Sequence, residues 1–245
     1  MADNSVTQNK ILFLPIDIPK LKCDMDLINE NYDLHGNSTP RPWHKLILRS
    51  TSIKTGLLKR YNDYSDDWSW TPGARIYFPQ VIEAIEMYLP FKVITLVAFL
   101  RPDTEDGSMF PHKDFNPSDK DAEDDFPSSV RENEPYSYRF VIGPFENIFY
   151  LSSSSDINGA RVFPRLPSST NSFVFNCSAV YHGVHQAPAN RAVLAISGLI
   201  DPEKHKELLR KSLVKYNQYL VTKKDLFAAT LSEPGLRRIQ DSHFF

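Results

Sequence analysis

A chain of 245 residues, 41% of them hydrophobic and 12% aromatic, can bury one sizeable core, and all-β barrels of this length commonly form single domains. The formal net charge of -2 supplies no basic field that would hold a nucleic-acid backbone, which argues against nucleic acid as a partner. Two cysteines, Cys23 and Cys177, are too few for a disulfide framework.

No charged region, apolar core and cleavage site follow one another at the N-terminus, and Pro15 stops the apolar run Ile11 to Leu14. No stretch approaches the ~20 apolar residues that span a bilayer, so the expectation is a soluble, cytoplasmic protein. Residues 10–18 read as an edge strand whose pairing Pro15 and Pro19 limit. From 24 to 67 the pattern is mixed, mostly loop, with a strand over Trp43–Arg49. The aromatic residues Tyr61, Tyr64, Trp68 and Trp70 either pack on a barrel's outer wall or cover a substrate pocket.

Val81, Ile82, Ile85, Tyr88 and Leu89 recur at helical spacing and predict a helix over Phe78–Leu89, ended by Pro90. Val93–Leu100 is almost continuously apolar, as a strand buried on both faces would be. Residues 115–136 read as a long acidic loop, either a lid whose carboxylates attract a cationic substrate or a plain solvated surface. Six short strands are predicted after it: Ser137–Ile142, Asn147–Leu151, Ala160–Phe163, Ser172–Cys177, Val180–Gln186 and Arg191–Ile200. Beyond Asp201, a capping residue followed by Pro202 and a stripe of Leu208, Leu209, Leu213 and Tyr216 predicts a helix. A second short helix, from about Lys224 to Leu231, either braces the barrel or forms a dimer contact, which leaves monomer and homodimer both open.

The chemistry concentrates in three places. In an extended strand, residues two apart face the same way, so the imidazole of His112 and the carboxylate of Asp114 leave the backbone together while Lys113 points away. Two nitrogens and one oxygen on one face of a metal leave about three octahedral positions open, the arrangement that non-haem iron(II) oxygenases use. The third ligand would be a histidine on a partner strand, and His182 lies where the apolar segment Ser172–Cys177 turns into one. Nine residues after His182 comes Arg191, at the head of the apolar run Ala192–Ile196. A buried guanidinium needs an anion, and the distal carboxylate of 2-oxoglutarate would serve through a bidentate pair.

The ordered set Leu89-Pro90-Phe91, an apolar strand ending near Arg101, Phe110-Pro111-His112-Lys113-Asp114, Tyr138–Gly143, His182-Gly183-Val184 and Arg191 resembles the aspartyl/asparaginyl β-hydroxylase and proline hydroxylase branch of the iron(II)/2-oxoglutarate oxygenases. The resemblance covers roughly residues 70–200. It implies a mainly β, double-stranded β-helix (jelly-roll, cupin-like) fold with flanking helices. It also implies iron at His112, Asp114 and His182, 2-oxoglutarate at Arg191, and dioxygen as oxidant, with ascorbate only as a support. Arg139 matches a family arginine lining the same pocket, facing either cosubstrate or substrate. His182 is preferred over His185 because its spacing to Arg191 fits the family pattern. Some members of the branch replace the carboxylate by glycine; this chain keeps Asp114, which makes it similar to the proline hydroxylase side and argues against a halogenase.

The expectation is one oxygenase domain over 1–245, with a core at about 70–200, an N-terminal strand and loop extension over 1–69 and a C-terminal helical segment over 201–245. Its activity would be hydroxylation of an unactivated carbon of an amino acid, free or within a peptide. The rival reading is a metal-binding β-barrel without catalysis.

Overall fold

The computed structural model describes residues 11–35, 37–38, 43–51, 68–102, 107–113, 136–177 and 179–232. Its frame is eight strands in two antiparallel sheets. β5 (Phe91–Pro102), β7 (Tyr136–Ile142), β10 (Ser172–Asn176) and β12 (Ala192–Ile200) lie in the larger sheet, in the order β10-β7-β12-β5. β6 (Gly107–His112), β8 (Phe149–Ser152), β9 (Arg161–Val162) and β11 (Tyr181–Ala187) make the smaller, in the order β6-β11-β8-β9. Consecutive strands alternate between sheets except β8 and β9, which pair within the smaller one, and the first and last of each set end up adjacent: β5 beside β12, β6 beside β11. That wiring is the double-stranded β-helix, and it accounts for the six strands predicted after the acidic loop.

The larger sheet is extended on both sides. β1 (Ile11–Pro15) pairs with β10, while β3 (Trp43–Thr51) pairs with β5 and carries β2 (Asn37–Ser38) and β4 (Trp68–Trp70). β1 was expected at an edge. Instead the two-residue β13 (Val221–Thr222) pairs with its outer side, and all five of its residues are buried.

Both faces of the larger sheet are covered, which explains why its strands read as apolar runs rather than alternating ones. The outer face carries Phe99, Phe140, Val174, Leu194 and Ile196 against the helices. The inner face, toward the smaller sheet, carries Phe13, Phe173, Phe175, Val141 and Val193 against Phe145, Phe149 and Leu151. Phe13, Phe149 and Phe173 are neighbours at 5.0–6.2 Å between ring centroids. Truncating any one of such buried rings typically costs about 3–5 kcal/mol.

Two helical expectations change. Residues 25–35, read as loop, form α1 (Met25–His35), started by Asp24, whose carboxylate accepts from the Asp26 amide at 2.9 Å. Ile28 and Tyr32, one turn apart, are its buried face, and Asn29 accepts from Arg101 of β5 at 2.7 Å. The single helix expected over 78–89 is two: α2 (Pro72–Tyr77), capped by Thr71, and α3 (Pro79–Tyr88), separated by Phe78. Each begins with proline, which fits the first helical position and cannot continue a preceding helix. The last two are α4 (Pro202–Tyr216) and α5 (Lys223–Ser232). Asp201 caps α4 as predicted, accepting from the amides of Glu203 and Lys204. Leu226 of α5 joins the inner cluster, so this helix braces the barrel.

Trp70 belongs to the outer cluster, lies under the Arg49 guanidinium at 5.2 Å and donates to Glu86 at 2.8 Å, which is the packing alternative for the aromatic residues. Tyr61, Tyr64 and the acidic loop lie outside the described residues. Among the described residues no helix is long and apolar enough to cross a membrane.

The outer face of β7 is tied to α4 by a buried polar contact. The Tyr138 hydroxyl and Nδ1 of His205 share a hydrogen bond at 2.6 Å, and burial pushes the His205 imidazole down from 6.5 to about 4. A depressed folded-state value means that the unfolded chain takes up the proton first. Stability from neutral His205 is therefore complete above about pH 6.5 and is lost as pH falls toward about 4, amounting to about 3 kcal/mol at ~1.4 kcal/mol per unit. Urea midpoints measured between pH 7 and 4 should fall steeply in the native chain and less so in His205→Gln. Equal slopes would assign the acid sensitivity to other groups.

Candidate metal and anion site

β6 and β11 run antiparallel, with His112 directly opposite His182. Both side chains leave the same side of the small sheet, and their ring centroids are 4.4 Å apart at 46°. Two imidazoles bound at right angles to one ion, with metal–nitrogen distances of about 2.1 Å, put their centroids about 4.5 Å apart. The observed spacing fits a shared ion. His112 donates from Nδ1 to the Phe110 carbonyl at 2.9 Å, which fixes the tautomer and leaves the lone pair on Nε2. His182 is only 5% exposed, with Phe175 edge-on at 4.6 Å and Phe149 at 6.1 Å between centroids.

His185 does not share this arrangement. Its amide donates to Ile148 at 2.8 Å and its ring meets Phe163 at 6.3 Å, on the face opposite His182 as the odd spacing requires. The structure thus pairs His182, not His185, with His112. β6 ends at His112, and Asp114 lies outside the described residues. Among the described residues no group of three metal-ligating side chains comes together; the two histidines are the described part of the expected set.

Arg139 and Arg191 occupy the inner face of the larger sheet at different heights. Arg139, on β7, stands opposite Phe173 of β10 and Ala195 of β12. Its guanidinium lies over the Phe175 ring at 5.5 Å, and Nη1 donates to the Tyr138 carbonyl at 3.2 Å. Because Phe175 also touches His182, a continuous row of contacts runs His112, His182, Phe175, Arg139. Arg191 precedes β12, four residues and so ~13 Å along the strand from Ala195. It is 1% exposed, donates from Nε to the Pro144 carbonyl at 3.0 Å, and its Nη1 has no hydrogen-bond partner among the described residues. Burial alone lowers this guanidinium from 12.5 to about 10, so it stays charged at neutral pH. No described contact links Arg191 to the histidines.

Two supports were not singled out in the sequence. Tyr150 of β8 crosses Gly183 and donates to the Met109 carbonyl at 3.0 Å, bridging β8 to β6 over β11 beside His182. A Cβ at 183 would lie 2.5 Å from the Met109 carbonyl oxygen and would also strike the Tyr150 hydroxyl, so only glycine fits. A lone glycine inside a strand is the signal for such a close approach. At the far end, Gly143 has φ +95 and its absent Cβ leaves room for the Asn190 carbonyl at 2.6 Å, next to Arg191. Replacing Gly183 by alanine should cost about 1–3 kcal/mol in denaturant unfolding. Adding Tyr150→Ala to it should cost less than the two single effects summed, since the part of the clash that falls on the Tyr150 ring is then gone while that with the Met109 carbonyl remains; strict additivity would break the link between these residues.

No protein-family model and no curated protein matches the chain. Among solved structures it is similar to OsALKBH1, at 14% identity and a TM-score of 0.44 over 77% of this chain and 97% of that one. It is also similar to EvdMO1, at 15% identity and a TM-score of 0.37, over 77% of this chain but 48% of that one. The chain is a mainly β jelly roll of the double-stranded β-helix type, the fold that its motif resemblance implied.

Proposed function

We propose that this chain is an iron(II)- and 2-oxoglutarate-dependent dioxygenase that hydroxylates an unactivated carbon of an amino acid, free or within a peptide. The observation that carries this reading is the cross-strand pairing of His112 with His182 in a double-stranded β-helix, at the centroid spacing of two ligands on one ion. His112, His182 and Asp114 would hold the iron. Bound there, iron and 2-oxoglutarate supply the oxidising power, dioxygen being consumed as the keto acid becomes succinate and carbon dioxide and the substrate carbon gains a hydroxyl.

The protein's part is positioning and exclusion of water. The Phe110 carbonyl orients His112, and Phe149 and Phe175 wall His182. Arg191 would meet the distal carboxylate of 2-oxoglutarate, since a dry guanidinium whose Nη1 finds no partner among the described residues is stabilised by an anion. Arg139, in contact with Phe175, would present its charge nearer the iron, to cosubstrate or to substrate.

His112→Ala and His182→Ala should each abolish tight iron(II) binding in anaerobic equilibrium dialysis, and His185→Ala should leave it nearly unchanged. Loss in His185→Ala with retention in His182→Ala would reverse the assignment of the distal ligand.

Arg191→Ala should lower 2-oxoglutarate affinity roughly a hundredfold or more, corresponding to the about 3–5 kcal/mol of a broken buried pair. Arg191→Lys should recover part of it, because a point charge replaces a planar fork. Titration of the iron-loaded variants under nitrogen, following the metal-to-ligand charge-transfer band, reads both. An unchanged affinity in Arg191→Ala removes Arg191 from the site. The same titration of Arg139→Ala separates its two roles: weakened 2-oxoglutarate binding assigns it to cosubstrate, and a raised KM for substrate alone assigns it to substrate.

A further inference from the structure

The plane of each imidazole decides whether its nitrogen lone pair reaches a shared ion, and strand register fixes where a side chain starts but not how its ring is turned. At His112 the hydrogen bond to the Phe110 carbonyl sets the plane. At His182 the ring meets two others, Phe175 at 4.6 Å and 66° and Phe149 at 6.1 Å and 40°. Phe175 is the nearer, and it comes from the opposite sheet.

Phe175 is itself firmly held. β10 is paired on both sides here, with Phe13 of β1 on one and Ser137 of β7 on the other, and Phe175 is 1% exposed. Phe149 and Phe173 lie against it at 5.3 and 5.9 Å, and the Arg139 guanidinium covers it at 5.5 Å. Turning the ring or shifting its strand would disturb all of these contacts at once. Its quadrupole adds an attraction that an aliphatic side chain lacks. The ring hydrogens of an imidazole become more positive when its nitrogen binds a cation, and the tilted contact with a phenyl ring strengthens accordingly.

We infer that Phe175 is the positioning residue for His182, holding its imidazole from the facing sheet at the angle at which it shares an ion with His112. Arg139, on the same ring, is then tied to the metal site through Phe175. The inference rests on the metal reading for the ion, but the hold on the imidazole does not.

The test compares Phe175→Leu and Phe175→Met with Phe13→Leu, which removes a ring from the same buried cluster on a different strand. Two properties are read on the full chain. One is iron(II) affinity by anaerobic equilibrium dialysis; the other, without metal, is the His182 ring signals in NMR of a histidine-labelled sample, assigned by their loss in His182→Gln. Both Phe175 variants should bind iron(II) roughly two- to tenfold more weakly, the loss expected for one aromatic pair. Their His182 signals should move toward those of an imidazole free to turn. Phe13→Leu should lose stability in urea yet keep the iron(II) affinity and the His182 signals of the native chain. Native affinity in both Phe175 variants, or the same losses in Phe13→Leu, would overturn the inference. A native chain that binds no iron(II), with His182 signals that still respond to Phe175 and not to Phe13, would instead sink the metal reading and leave the hold on the imidazole standing.

Discussion

The antiparallel register of β6 on β11 is the constraint on which the mouth of the barrel depends. Side chains alternate along a strand, so a slip of one residue would turn His182 outward and bring Gly183 opposite His112. Hydrogen bonding alone does not forbid that slip. The Tyr150 hydroxyl does, because it reaches the Met109 carbonyl only by crossing a position without a Cβ, and the chain offers one such position there, Gly183. Behind it, the phenylalanine cluster grips the correct face of β11 through Phe149 and Phe175. Register, packing and the imidazole pair therefore enforce one another.

The larger sheet supplies the rigidity that this arrangement needs. Helices cover its outer face and the phenylalanine cluster its inner one, so shifting β7 or β12 would disturb two packed layers at once. Such strands tolerate few polar residues. Arg139 and Arg191 are thus costly placements in this fold, and among the described residues the contacts that offset them differ: a carbonyl and an aromatic face at Arg139, a carbonyl at Arg191.

Much of this was legible in the sequence where period and punctuation agree. The strands from β7 to β12 announce themselves by apolar runs between serine-, glycine- and proline-rich turns, and Asp201-Pro202 marks the start of α4 to the residue. α1 was hidden because Asp26, Asn29, Asn31 and Asp33 are poor helix formers, and tertiary contacts through Ile28, Tyr32 and Asn29 hold it instead. The split between α2 and α3 was written in Pro79, which an apolar stripe continuing through Val81 and Ile85 obscured. At the site, the spacing rule for alternating faces put His182 and His185 on opposite sides of one strand, which is how β11 carries them. It could not show the row from His182 through Phe175 to Arg139, because those residues come from three different strands and meet only when the two sheets face each other.

The two arginines make a final distinction between holding a charge and using one. A guanidinium at 1% exposure whose Nη1 meets no described acceptor is not at its energetic minimum, and burial alone has already lowered its proton affinity to about 10. Removing an ion pair in favour of apolar residues often stabilises a core, so a cation kept there with no acid partner among the described residues gains little for folding from them. A ligand anion would supply the missing interaction, and the free energy released on pairing would appear as binding affinity rather than as stability of the empty chain. Arg139, already in contact with a carbonyl and a ring, has less to gain. On the proposed reading that difference makes Arg191 the anchor of the cosubstrate and leaves Arg139, at the end of the aromatic row from His182, to shape the field where the substrate meets the iron.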